Sequence, residues 1–84
     1  MRPGDFKPAL IVRFPRPGGM PRVERIGTVE QGLQSIRGLC ADPAWHVALG
    51  HLSLAHRDPQ PAHVEAARTA LREFARRSNA LLDG

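Results

Sequence analysis

Two spacings of apolar residues divide the chain. Ala9, Leu10, Ile11, Val12, Arg13 and Phe14 form a short apolar, partly β-branched run between Pro8 and Pro15, which predicts a strand. The segment Pro15 to Pro21, with Pro17, Gly18 and Gly19 inside it, excludes regular structure and predicts a turn. Arg22, Val23, Glu24, Arg25 and Ile26 then read as a second, weaker strand, so the two runs form a hairpin across a long loop. A lone hairpin is marginal and has two open edges, so it needs helices on one face.

From Thr28 onward the spacing becomes helical. Thr28 followed three residues later by Gln31 is a capping box, in which hydroxyl and amide satisfy backbone donors at a helix start. Val29, Leu33, Ile36 and Cys40 line one side of this first helix with Leu39 beside them, while Gly32 and Gly38 weaken it by about 1 kcal/mol each relative to Ala. Asp42 before Pro43 predicts a second helix that runs to about His56. Trp45, Ala48, Leu49 and Leu52 make one apolar side of it, and Val47 and Leu54 lie nearly opposite with Gly50 near them. A helix apolar on two sides is central in its domain or shared with another chain, so Val47, Gly50 and Leu54 are the candidate dimer face. Asp58, Pro59, Gln60 and Pro61 repeat the cap-then-proline device and predict a third helix, with the stripe Val64, Ala67, Leu71, Phe74, Ala75, Leu81 and Leu82. On its outer flank Glu65, Arg68, Arg72 and Arg76 line up, with Glu73 and Arg77 paired at i, i+4. The expected fold is α+β: an N-terminal β-hairpin followed by three α-helices packed on one face of the small sheet, forming a single domain over residues 1–84 with loose ends at about 1–5 and 83–84.

Composition changes this picture in one respect. Val, Ile, Leu and Phe make up 20 of the 84 residues, enough for folding but thin for a self-sufficient core. A chain of this size buries only about 60% of its unfolded surface, and association with a second subunit compensates. No apolar stretch reaches the length of a membrane span or a secretory signal, so a cytoplasmic location without membrane association is expected. The one cysteine rules out an internal disulfide.

The net charge of +4 resides in the first 26 residues, where Arg2, Lys7, Arg13, Arg16, Arg22 and Arg25 face only Asp5 and Glu24. Arg13, Arg16, Arg22 and Arg25 on the hairpin are the candidate anion or nucleic-acid patch, because clustered guanidinium groups displace counterions from a phosphate backbone. Base-stacking aromatics are scarce, since the chain has only Phe6, Phe14, Phe74 and Trp45 and at least three of these fall at core positions, so nucleic acid is the lesser expectation. His46, His51, His56 and His63 do not follow the i, i+4 spacing of a helical metal pair, and no metal or cofactor is expected. Cys40 sits on an apolar stripe without a protease-like signature, and Ser35, Ser53 and Ser78 lack a nucleophile elbow. No catalytic residue and no enzymatic activity is expected.

The stretches FKPALIV from Phe6, IGTVEQGLQSI from Ile26, and HVALGHLSLAHRDPQPAHVEAARTALREFA from His46 together resemble a family of small alphaproteobacterial, many of them rhizobial, proteins known as domain of unknown function nine hundred and eighty-two. In that family an aromatic and a proline precede the first strand, and a helix with an Ala-Arg pair and an aromatic closes the chain, which Ala67, Arg68 and Phe74 match here. Cys40, Ala41, Asp42 and Pro43 stand where the family usually has tryptophan and proline, and Trp45 comes later. The resemblance implies a small α+β domain and assigns no functional residue. Together these readings predict a non-catalytic binding or regulatory module that pairs with itself, with an unidentified protein partner or weak nucleic-acid binding as further options.

Overall fold

The computed structural model describes residues 4–14, 18–39 and 43–84. In chain order the elements are β1 (Asp5–Val12), β2 (Glu24–Thr28), α1 (Val29–Ile36), α2 (Pro43–Arg57), α3 (Pro61–Arg77) and β3 (Leu81–Asp83). The result is a small α+β fold with a three-stranded antiparallel sheet in the order β2-β1-β3. The expected hairpin is present, and β1 gains a second neighbour that the sequence pattern did not reveal.

Alternation along β1 sets the layers. Leu10, Val12 and Phe14 are buried while Arg13 is exposed, so even-numbered side chains face the helices. Leu10 stands opposite Ile26, which is equally buried, and Ile11 stands opposite Arg25 on the other face. The ladder loses register between Asp5 and Leu10, where Pro8 has no N–H to donate. β2 lies two residues later than predicted, because Thr28 still pairs with Asp5 while already serving as the N-cap of α1.

This double duty alters the capping box. Gln31 N–H donates to Thr28 Oγ1 at 3.1 Å as expected. The Gln31 side chain reaches one residue further back, where its Oε1 accepts from Gly27 N–H at 2.7 Å. The helix is also shorter than its apolar stripe suggests. It stops at Ile36, Arg37 turns extended and Gly38 takes a φ of 87°. The Ile36 carbonyl accepts from Leu39 N–H at 3.2 Å and also from the indole N–H of Trp45 of α2 at 2.9 Å, which ties the end of α1 to the next helix. Cys40 and Asp42, read as an inward side chain and a cap, lie outside the described residues.

α3 begins two residues later than the Asp58 cap predicts. Gln60 is its N-cap and Pro61 its first residue, while the Asp58 carbonyl accepts from Gln60 N–H at 2.8 Å. Its end is the larger correction. Leu81 and Leu82 do not continue the helical stripe, because Asn79 adopts a φ of 55° and the chain reverses. Asn79 N–H donates to the Arg76 carbonyl at 3.2 Å and Ala80 N–H to the Ala75 carbonyl at 2.8 Å, the two bonds of a Schellman stop. Leu81 then pairs with Val12 and Asp83 with Ile11, leaving Leu82 as a bulge. Arg68 and Arg72 hold this last strand, both donating to the Gly84 main-chain oxygen, at 3.2 and 2.7 Å.

Phe14 stacks on Phe74 of α3 with ring centroids 5.5 Å apart, which ties the end of β1 to the helical layer. α1 and α3 lie against the sheet. α2 packs chiefly on α3 and α1, so only two of the three helices cover strands directly. Gly32 sits where these layers meet. A Cβ built there would come within 3.0 Å of Leu52 Cδ2 and 3.1 Å of Leu71 Cδ2, and both leucines are fully buried. Gly32→Ala therefore gains about 1 kcal/mol of helix propensity and loses about 1–3 kcal/mol to overpacking. The expected outcome is a net loss of stability, read as a lower urea midpoint with an unchanged slope.

Candidate functional site

α2 carries the most unusual surface of the molecule. Between Pro43 and His56 it has no Asp, Glu, Lys or Arg, although 24% of the chain is charged. Ala48, Leu52 and Ala55 are buried, and Trp45 and Leu49 pack partly against the same core. The opposite side stays open: Val47 is 55% exposed, Leu54 38%, and His51 and Gly50 are exposed with them. A Cβ added at Gly50 would meet nothing within 4 Å. Val47, Gly50 and Leu54, singled out from the helical wheel, thus fall on one uncovered stripe.

The stripe continues into a groove between α2 and α3 of about 590 Å³. Ala44 and Val47 form one wall, Ala66 and Ala70 the other, and Phe74 lies at its base. Ala66 and Ala70 keep α3 thin on this flank, and that small-residue spacing was the available sequence signal for a wall whose place beside α2 depends on helix packing.

Charge gathers at one end of the groove. Arg76 donates its Nε to Glu73 Oε2 at 3.1 Å and its Nη2 to Glu73 Oε1, and Arg77 Nε lies 3.6 Å from the same Oε1. The expected i, i+4 pair is therefore joined by an i, i+3 pair. Hydrogen bonding from Arg76 holds the Glu73 carboxyl below its ordinary value, opposed by desolvation and aided by the charges of both arginines. The same bond raises Arg76. A depressed carboxyl keeps its pairs at neutral pH and loses them as pH falls through its lowered value. Both partners are exposed, so the pairs orient the rim more than they stabilise the fold. Arg68 and Arg72, expected to line the outer flank with Glu65, turn instead towards Gly84, and Arg68 Nε also donates to the Pro8 carbonyl at 2.8 Å.

The hairpin arginines are less well gathered. Arg25 stands opposite Ile11, and Arg13 lies two residues further along the same helix-free face, so these two share a surface. Asp83 flanks Ile11 from the other side and interrupts the positive field. Arg22 is exposed before β2, and Arg16 lies outside the described residues. Phe6, Phe14 and Phe74 are buried, so none of the three offers a ring to a base.

The four histidines are dispersed. His46 meets Trp45 edge-on at 5.0 Å, His51 lines the α2 groove, His56 lines a separate cleft near Thr28, and His63 Nδ1 lies 2.9 Å from the Asp58 carbonyl oxygen. Among the described residues, no three His, Cys, Asp or Glu side chains gather into a cation site. Among the same residues no helix is long and apolar enough to cross a membrane. The chain matches no family model, no curated protein and no solved structure, so the resemblance to the alphaproteobacterial family rests on the residues quoted for it.

Arg13 and Arg25 are both exposed, so the double substitution Arg13→Ala, Arg25→Ala leaves stability within about 0.5 kcal/mol. It lowers the salt concentration at which the protein elutes from immobilised heparin. Unchanged elution would show that the sheet face does not meet polyanions.

Proposed function

We propose that the protein is a cytoplasmic, non-catalytic binding module that acts as a homodimer through the open side of α2 and the adjoining flank of α3. The observation that carries this reading is the uncharged, partly apolar stripe of Val47, Gly50, His51 and Leu54 beside a groove floored by Phe74. Depletion of charge is the compositional mark of an interface centre, whereas ordinary exposed helix faces carry Lys, Arg, Glu or Asp. The interior supports the same conclusion. Among the described residues, five of the sixteen buried apolar side chains are alanines, which bury little surface each, so shared burial adds what one chain lacks.

At micromolar concentration the protein is expected to sediment at twice the 9.2 kDa chain mass. Val47→Glu with Leu54→Glu brings it to the single-chain mass while circular dichroism keeps its helical signal. Gly50→Leu separates the alternatives further. In an isolated chain it meets open space and adds up to about 1 kcal/mol of helix propensity. On a closely packed face it blocks association. A native protein that sediments as a single chain, together with a Gly50→Leu variant that is simply more stable, overturns the reading.

A further inference from the structure

The loop between β1 and β2 departs from the rest of the surface. Its described part, residues 18–23, holds Met20 at 85% exposure and Val23 at 62%, the two most exposed large apolar side chains among the described residues. Single exposed apolar side chains are ordinary. Here two stand within four positions, separated by Pro21 and Arg22 and flanked by the two strands that carry Arg13 and Arg25, so an apolar tip has a cationic collar. We infer that this tip docks on the surface of an anionic lipid bilayer. Met20 and Val23 enter the interface, and Arg13 and Arg22, with Arg25 behind them, pair with the lipid phosphates around it. The inference uses no residue of α2 or α3 and is independent of the homodimer reading.

Charge placement sets the orientation. Arg13 follows the end of β1 and Arg22 comes just before β2, so both are next to the loop, and both are exposed. The backbone of Arg13 is fixed there by its N–H, which donates to the Ala80 carbonyl at 2.8 Å. Arg25 is set further back, with its Nη1 over Gly27, where an added Cβ would lie only 2.8 Å away. The carboxylates of the sheet stand behind this group. Asp83 flanks Ile11, two residues before Arg13, and Asp5 lies eight residues, about 26 Å, from Arg13 along the strand. Glu24 is nearer, but it is half-buried opposite Val12 and already has a partner. With the tip leading, Arg13 and Arg22 therefore reach a negative surface ahead of Asp83 and Asp5.

A phosphodiester backbone offers the same charge, and the apolar tip separates the two ligands. Nucleic acid would meet the arginines but has no use for Met20 and Val23, and the rings of Phe6, Phe14 and Phe74 that would stack on bases are buried. A bilayer interface takes both kinds of side chain. Its phosphates attract each guanidinium, and its acyl boundary accepts a flexible thioether and a valine. Pro21 helps, because its fixed φ limits the conformations the tip gives up on insertion. Two apolar side chains alone bind a membrane only marginally, so the arginines are required and attachment is reversible. The apolar run lengths that exclude a spanning segment do not bear on this mode, which needs only a few side chains at the interface.

The test is flotation of the unmodified protein with vesicles of phosphatidylcholine alone and of phosphatidylcholine containing about 30% phosphatidylglycerol. Binding is expected to the anionic vesicles only, and to weaken as salt rises. Arg13→Ala with Arg22→Ala is expected to lower the partition coefficient roughly twentyfold to thirtyfold, since each cation near such a surface contributes about fivefold. Met20→Ser with Val23→Ser removes no charge and is expected to lower it about tenfold. All four side chains are exposed, so circular dichroism and the urea midpoint stay as in the native protein. Lys7→Ala, about 20 Å behind Arg13 along β1, is expected to leave binding within about twofold. A loss with Lys7→Ala as large as that with the arginine pair overturns docking by the tip. Binding that ignores Met20→Ser with Val23→Ser, or that prefers a short DNA duplex to the anionic vesicles at equal salt, assigns the arginines to nucleic acid and overturns the inference. Equal binding to the neutral vesicles, or no flotation at low salt, overturns it as well.

Discussion

The structure depends on the central position of β1. Every second side chain at its C-terminal end, Leu10, Val12 and Phe14, is withdrawn from water, and each meets a different neighbour: Leu10 is set against Ile26 across the ladder, Val12 between Glu24 and Leu81, and Phe14 on the ring of Phe74. A two-stranded ribbon could not hold this row dry by itself. The C-terminal strand completes it, and three contacts keep that strand in place: the helix stop at Asn79, the bond from Arg13 N–H to the Ala80 carbonyl at 2.8 Å, and the two arginines on Gly84. The last residues of the described chain thus close the edge of the sheet, with Ala80 buried and Leu81 partly so while Leu82 and Asp83 stay exposed.

The legible and illegible parts of this fold divide on physical grounds. β1 announces itself because β-branched and aliphatic residues stand together between prolines, and α1 to α3 because apolar residues recur at helical spacing behind caps or prolines. β3 was hidden because Leu81 and Leu82 happen to extend the 3.6-residue stripe of α3. What removes them from it is one left-handed residue, and Asn at position 79 only permits that conformation without demanding it. The offset of β2 has a similar origin, since Thr28 fits a strand and a cap equally well and here is both. For the candidate site, the wheel of α2 was sufficient to select Val47, Gly50 and Leu54. The contribution of α3 was not readable, because no local pattern states which flank of one helix comes to rest beside another.

The layering of the helices explains why α2 has an open side at all. α1 is only eight residues long and α3 lies along the sheet, so between them they cover the strands, and α2 is left on top of two helices. In that place it needs one apolar side for its own docking, through Ala48, Leu52 and Ala55, and gains nothing within the chain from a second. Yet the second side is free of fixed charge over fourteen consecutive residues. Soluble surfaces are normally protected by interspersed charges, and the arginine-rich remainder of this chain shows that such residues are plentiful. The open side of α2 thus stands apart from the rest of the described surface in carrying no fixed charge between Pro43 and His56.

The Gln31 amide that sits on Gly27 N–H has an effect reaching beyond one helix cap. It occupies an edge donor that a foreign strand would require, while at the other margin the bulge at Leu82 spoils the register of a strand only three residues long. Neither border of the sheet therefore offers a template on which copies could add one after another without limit. Open-ended edge-to-edge association is therefore disfavoured at both margins of the sheet.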